Sequence, residues 1–166
     1  MQTKEIHLLA QNLGNQCIKN AYKLVIAESC TGGLVCSVIT SVSGSSNWFD
    51  RGFVTYSNQS KCDLLGVAKK TLANHGAVSQ NVANEMALGA LQNSHGSLSL
   101  SITGIAGPNG GTKDKPVGTV YFAICNQNSM LFESRSNFAG SRLEIQEKAL
   151  VFALNNLLKV TLKQQI

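Results

Sequence analysis

A short apolar run, Leu24-Val25-Ile26-Ala27, passes through Glu28-Ser29-Cys30-Thr31-Gly32-Gly33 into a second apolar stretch, Leu34 to Val42, that Gly44 ends. The first run favours β structure and reads as a buried strand; the second reads as a helix. Strand, small-residue turn and helix in this order commit a chain to an α/β fold, because the strand needs a sheet and the helix covers one of its faces. Ile6, Leu9, Ala10, Leu13 and Cys17 recur at helical spacing ahead of the run. Gly52-Phe53-Val54-Thr55-Tyr56-Ser57 reads as the next strand. Asn58 is then the N-cap, and Gly66 the C′ stop, of a helix carrying Lys61, Leu64 and Leu65. Ser79 caps a helix with Val82, Ala83, Met86, Ala87, Ala90 and Leu91 on one face. Leu98, Leu100 and Ile102 alternate with serines, the pattern of a half-buried strand. Val117 to Cys125 and Met130 to Phe138 flank the polar turn Asn126-Gln127-Asn128, which predicts a hairpin. Ser141-Arg142-Leu143-Glu144 is a capping box that opens a long final helix. Helices and strands alternate early and a hairpin comes late. The expected architecture is one three-layer α/β/α sandwich with a mixed sheet over residues 1–166.

The composition narrows the function classes. With 43% hydrophobic and 14% charged residues, the chain belongs among globular proteins. No apolar run reaches the roughly 18 residues of a membrane span, and no apolar segment follows the first lysine, so neither a membrane nor a signal peptide is expected. The formal charge of +5 is scattered, with Lys69-Lys70 and Lys113/Lys115 the densest pairs. That is a solvated surface without the concentrated stripe of a nucleic-acid binder, and it is compatible with a small anionic substrate. The five cysteines are odd in number and lack a C-x-x-C pair, which argues against disulfides and zinc. Reduced thiols and a cytoplasmic location are the expectation. His7, His75 and His95 show no metal-ligand spacing, so no metal is expected.

Three loops concentrate small and polar residues: 28–33, 55–61 and 103–118. In an α/β sheet such loops gather at one edge and form a pocket. Ser29 stands just before a helix start, where free N–H groups near Thr31, Gly32 and Gly33 suit an oxyanion or a phosphate. Two readings stand side by side: Ser29 as nucleophile, or Ser29 or Thr31 as an ordinary cap. Lys61 is either a base with its pKa lowered by burial or a surface lysine. Tyr56 either relays a proton or fills the core. Arg142, in the first turn of the final helix, either grips phosphate or carboxylate with its fork or pairs with Glu144 or Glu147. Cys30 is a rival nucleophile, since a thiol near a helix start is acidified, or a small buried residue.

Taken together, Ala27-Glu28-Ser29-Cys30-Thr31-Gly32-Gly33, Gly52 to Asn58, Lys61, His75-Gly76-Ala77-Val78-Ser79, Thr103-Gly104-Ile105-Ala106-Gly107-Pro108 and Lys115 to Val120 resemble the CinA C-terminal domain family. The resemblance implies a nicotinamide-nucleotide amidohydrolase, which turns nicotinamide mononucleotide and water into nicotinate mononucleotide and ammonia in pyridine-nucleotide salvage. It implies a serine–lysine dyad of Ser29 and Lys61, with Tyr56, Thr103 and Arg142 in catalysis or substrate contact; Asn58 and Gly104, in the same loops, are further candidates for substrate binding. No cofactor and a homodimer are also implied. Many relatives carry an extra N-terminal domain, which this chain is expected to lack. Two other readings remain open on the sequence: a non-catalytic nucleotide-binding module, and an amidase for another small amide that uses Cys30.

Overall fold

Successive side chains of a strand face opposite ways, and the strand over Leu24–Glu28 (β1) is buried along its whole length. Leu24 and Ile26 enter one apolar cluster; Val25 and Ala27 enter another on the opposite face. Helices must therefore cover both sides. The computed structural model describes residues 3–163. Around β1 stand α1 (Thr3–Lys19), α2 (Leu34–Thr40), β2 (Phe49–Val54), α3 (Asn58–Leu65), α4 (Lys69–His75), α5 (Gln80–Gln92), β3 (Leu98–Gly104), β4 (Thr119–Asn126), β5 (Met130–Asn137) and α6 (Arg142–Lys163). Among the described residues the sheet has five strands in the order β2-β1-β3-β4-β5. β1 pairs parallel with β2 and β3, while β3–β4 and β4–β5 are antiparallel. Helices α1, α2 and α6 pack together on one face, and α3, α4 and α5 on the other. This is the three-layer α/β/α sandwich with a mixed sheet that the alternation predicts.

Several local expectations shift. β2 begins at Phe49 and ends at Val54, ahead of the expected 52–57, because Leu24 donates to Trp48 O and so starts the β1–β2 pairing earlier. Ser57, not Asn58, is the cap of α3: its side chain accepts from Ser60 N, and Asn58 is the first helical residue. Gly66 closes that helix in the left-handed region, as expected. α4 has no counterpart in the sequence reading; over Lys69–His75 only Leu72 is a large apolar residue, too little to show a period.

β3 is buried on both faces, not half-buried. Its leucines and Ile102 join the α1–α2–α6 side, while its hydroxyls face α5. Ser99 Oγ donates to Ala87 O at 2.9 Å, Ser101 Oγ to Ala83 O at 2.6 Å, and Thr103 Oγ1 to Ala77 O at 2.8 Å. Each buried hydroxyl thus has an acceptor, which removes the cost of placing polar groups in the core.

α5 also lies tight against the end of α3. A Cβ at Gly89 would overlap the Leu65 carbonyl, which is backbone and cannot swing away. Helix propensity alone favours alanine over glycine by about 1 kcal/mol. The overlap outweighs this, so Gly89→Ala is expected to lower stability by about 1–3 kcal/mol in a denaturant titration. Among the described residues no helix is long and apolar enough to cross a membrane.

Candidate active site

The chain leaves β1 for β2 through α2 on one face, and reaches β3 through α3–α5 on the other. The segments that follow β1 and β2 therefore leave their carboxyl ends toward opposite faces of the sheet, and a crevice opens there. It holds a cavity of about 260 Å³ lined by Ser29, Tyr56, Asn58, Lys61, Thr103 and Arg142, among others. The loops after β1, β2 and β3 and the first turn of α6 each supply part of the wall.

Lys61 sits one turn into α3. Helical side chains lean toward the helix N-terminus, so its amine returns to the loop that precedes the helix. Its Nζ lies 2.9 Å from Ser29 Oγ, 2.7 Å from Thr55 O and 3.5 Å from Tyr56 O. Lys61 is only 1% exposed and Ser29 7%. Burial lowers the Lys61 pKa; the neighbouring thiols of Cys30 and Cys62 raise it by less. No carboxylate touches the amine among the described residues, so no ion pair opposes the lowering by burial. A neutral amine has two N–H groups and one lone pair. Two main-chain carbonyls take the N–H groups, which leaves the lone pair for the Ser29 hydroxyl.

The other side chains are tied to the frame. Arg142 donates to Gly107 O at 2.9 Å through Nη1 and to the Tyr56 hydroxyl at 3.0 Å through Nη2. The Tyr56 hydroxyl thus faces Arg142, and only its main-chain carbonyl faces Lys61. This geometry gives no support to a proton relay through the Tyr56 ring. Thr103 spends its hydroxyl proton on Ala77 O and can only accept from a ligand. Gly104 lines the cavity, but a Cβ there would meet Thr119 O and Val120, so its missing side chain serves the β3–β4 packing. Asn109, in the 103–118 loop, adds an exposed amide to the wall.

Thr31, Gly32 and Gly33 do not line this cavity. They line a separate groove between α1, α2 and α6. Two of the N–H groups expected to be free are already committed: Gly32 N donates to Ser29 O, and Gly33 N to Glu28 Oε2. Neither Ser29 nor Thr31 caps α2. Gly33 holds the cap position with φ at 98°, and the Glu28 carboxylate serves the helix start. Glu28, to which the sequence assigns no separate role, accepts from three main-chain N–H groups at the start of α2; a carboxylate closing a buried apolar run ahead of a helix is the available signal. Burial pushes the Cys30 thiol up to about 12, and the one nearby amine is bonded to Ser29 instead. Cys30 is therefore a protonated, buried thiol rather than an activated one. Alkylation at pH 7.5 with iodoacetamide is expected to leave activity within about twofold of the untreated protein, because the thiolate is the reactive form.

A buried hydroxyl bonded to an unpaired buried amine, at a strand-to-helix corner, is an arrangement suited to acyl transfer by a serine nucleophile. Among the described residues no cluster of three or more His, Cys, Asp and Glu is placed to hold a metal ion. Residues 6–161 match the CinA C-terminal domain, and the chain belongs to that family. It is 44% identical to the nicotinamide-nucleotide amidohydrolase PncC of Enterobacter agglomerans over 163 residues, 98% of this chain and 99% of that protein. Identity with the PncC of Escherichia coli K12 is 45%, covering 95% of each. The CinA superfamily protein KP700603 of Klebsiella pneumoniae 700603 has the same fold, with a TM-score of 0.92 at 31% identity over 98% of this chain and 99% of that one.

Proposed function

We propose that this protein hydrolyses the carboxamide of nicotinamide mononucleotide, giving nicotinate mononucleotide and ammonia for pyridine-nucleotide salvage. Ser29 is the nucleophile and Lys61 its base. The observation that carries this reading is the 2.9 Å contact between Ser29 Oγ and the amine of Lys61, a residue that is 1% exposed and touches no carboxylate among the described residues. Full-length similarity to two amidohydrolases named for this substrate supports the choice of amide.

In the first half-reaction Lys61 Nζ takes the Ser29 proton while Oγ attacks the carboxamide carbon. The N–H group of Cys30, which lines the cavity and makes none of the turn's hydrogen bonds among the described residues, is the donor for the developing oxyanion. The tetrahedral intermediate collapses, the C–N bond breaks, and Lys61 returns the proton to the leaving ammonia. In the second half Lys61 takes a proton from water, hydroxide attacks the acyl carbon, and Ser29 leaves with that proton. The base must be neutral at the start of each half, and burial lowers its pKa in the direction that favours this form. The rate therefore falls as pH drops through the lowered Lys61 pKa, with the midpoint of that limb below the 10.5 of a free lysine.

Arg142 and the 104–111 loop hold the ribose phosphate. Arg142 keeps a free edge after its bonds to Gly107 and Tyr56, and its fork suits a phosphate better than the point charge of a lysine. Arg142→Ala is expected to raise KM for the nucleotide by about 10–100-fold, and Arg142→Lys to recover only part of it. The decisive experiment is ammonia release from nicotinamide mononucleotide by purified protein without added metal. Release by the wild type, abolished by Lys61→Ala, supports both substrate and base; tight binding with no release by the wild type overturns the enzymatic reading.

A further inference from the structure

We propose that Glu28 is a positioning residue for this reaction: its side chain fixes the turn that carries Ser29, and its carbonyl fixes the segment that seats Lys61. The inference rests on the Ser29–Lys61 reading above.

Glu28 ends β1 and is fully buried. Its Oε2 accepts from Gly33 N at 3.0 Å and Val35 N at 3.2 Å, and its Oε1 from Cys36 N at 2.9 Å. Three donors at the start of α2 thus converge on one carboxylate, and Gly33 at the cap position has no side chain to replace it. The turn between is closed at its other end, where Ser29 N donates to Ile102 O and Gly32 N to Ser29 O. Ser29 is consequently held between a strand it directly follows and a helix its neighbour caps.

The main chain of the same residue faces the base. Thr55 N donates to Glu28 O at 2.8 Å, and the Thr55 hydroxyl reaches the same oxygen at 3.5 Å. The Thr55 carbonyl then takes the Lys61 amine at 2.7 Å. One peptide bond leads from Glu28 to the nucleophile, and two hydrogen bonds lead from it to the base. A helix cap placed anywhere else would stabilise a helix; this one sets a distance. Glutamine keeps the shape but offers one acceptor oxygen, and it turns an N–H₂ toward N–H donors. The turn must then shift, and a displacement of about 1 Å at a reacting atom costs about 10²-fold in rate.

The test compares Glu28→Gln and Glu28→Asp with the wild type and with Ser29→Ala, measuring kcat, KM, the pH dependence of kcat and Tm. For Glu28→Gln, kcat is expected to fall about 10–100-fold while KM stays within about threefold, since the Arg142 wall is untouched. The acid limb of the kcat profile keeps its midpoint, because the carbonyls that seat Lys61 are main-chain. A lower Tm with kcat within threefold would make Glu28 a helix cap only and overturn the proposal. A rise in KM at unchanged kcat would overturn it equally. If Glu28→Gln does not fold, Glu28→Asp decides: it keeps the buried carboxylate but withdraws it by one carbon–carbon bond, about 1.5 Å. A loss of about tenfold or more in its kcat supports the proposal, and kcat within threefold of wild type overturns it. Turnover retained by Ser29→Ala would instead remove the reading beneath it. An inactive Ser29→Ala beside a fully active Glu28→Gln removes this proposal alone.

Discussion

Lys61→Met is expected to release no measurable ammonia and to unfold at a higher temperature than the wild type. Loss of the base removes proton transfer from both half-reactions, and a fall of about 10³-fold or more in kcat follows. The gain in stability comes from the same burial. Lys61 is among the largest fully buried side chains of the protein, and desolvation lowers its pKa. A group whose folded pKa lies below its unfolded value binds more protons when unfolded, so it destabilises the fold at every pH below the unfolded value. For Lys61 that penalty is complete below the lowered folded pKa and fades as pH rises toward the 10.5 of a free lysine. Methionine fills similar space without a charge to desolvate, so the variant gains about 1–3 kcal/mol at pH 7. The gain should shrink on approaching pH 10.5. Calorimetry at pH 7 and pH 10 beside an ammonia assay checks both halves. A less stable, inactive variant would show that the hydrogen bonds of Lys61 to Ser29 and Thr55 contribute more than its burial costs.

Ser29→Ala is the second large effect. It removes one buried oxygen and leaves the Lys61 amine bonded to Thr55 O and Tyr56 O. The fold should persist, and nucleotide binding should stay within about threefold, because Arg142 and the loop after β3 are intact. Turnover should fall by about 10³-fold or more, since no other group within reach of Lys61 carries an activated oxygen or sulfur. Isothermal titration with nicotinamide mononucleotide and a single-turnover ammonia assay separate the two outcomes. Turnover within tenfold of wild type would move the nucleophile elsewhere, and Cys30, held near 12 by burial, is a poor place for it.

The layering was legible in the sequence, because Leu24 to Ala27 and the helical periods of α1, α5 and α6 announce their buried faces. That Ser29, Tyr56, Lys61, Thr103 and Arg142 share one cavity follows from each standing in, or next to, a loop at the carboxyl end of a strand or in the first turn of a helix. What the sequence left hidden are bonds between side chains and main chain. Nothing in the letters around Glu28 tells which N–H groups it will meet. The same blindness made Gly32 and Gly33 look like free donors, when each amide already had an acceptor. The serines of β3 look half-solvated for the same reason: a serine whose acceptor is a carbonyl of a distant helix has the pattern of one facing solvent.

Those β3 hydroxyls have a further consequence. Apolar contact between a helix and a sheet is tolerant, since one methyl group is as good a neighbour as the next, and a helix could slide along its own axis at small cost. Hydrogen bonds are not tolerant in this way. Ser99 and Ser101 stand two residues apart on a strand, about 6.7 Å, and Ala87 and Ala83 four residues apart on a helix, about 6.0 Å. The two repeats nearly coincide, so the hydroxyls act as teeth that let α5 engage β3 at one setting only. Thr103 is the third tooth and grips Ala77, which with Val78 walls the cavity. A ratchet in the middle of the molecule thereby fixes, several residues away, how wide the mouth of the site stands open.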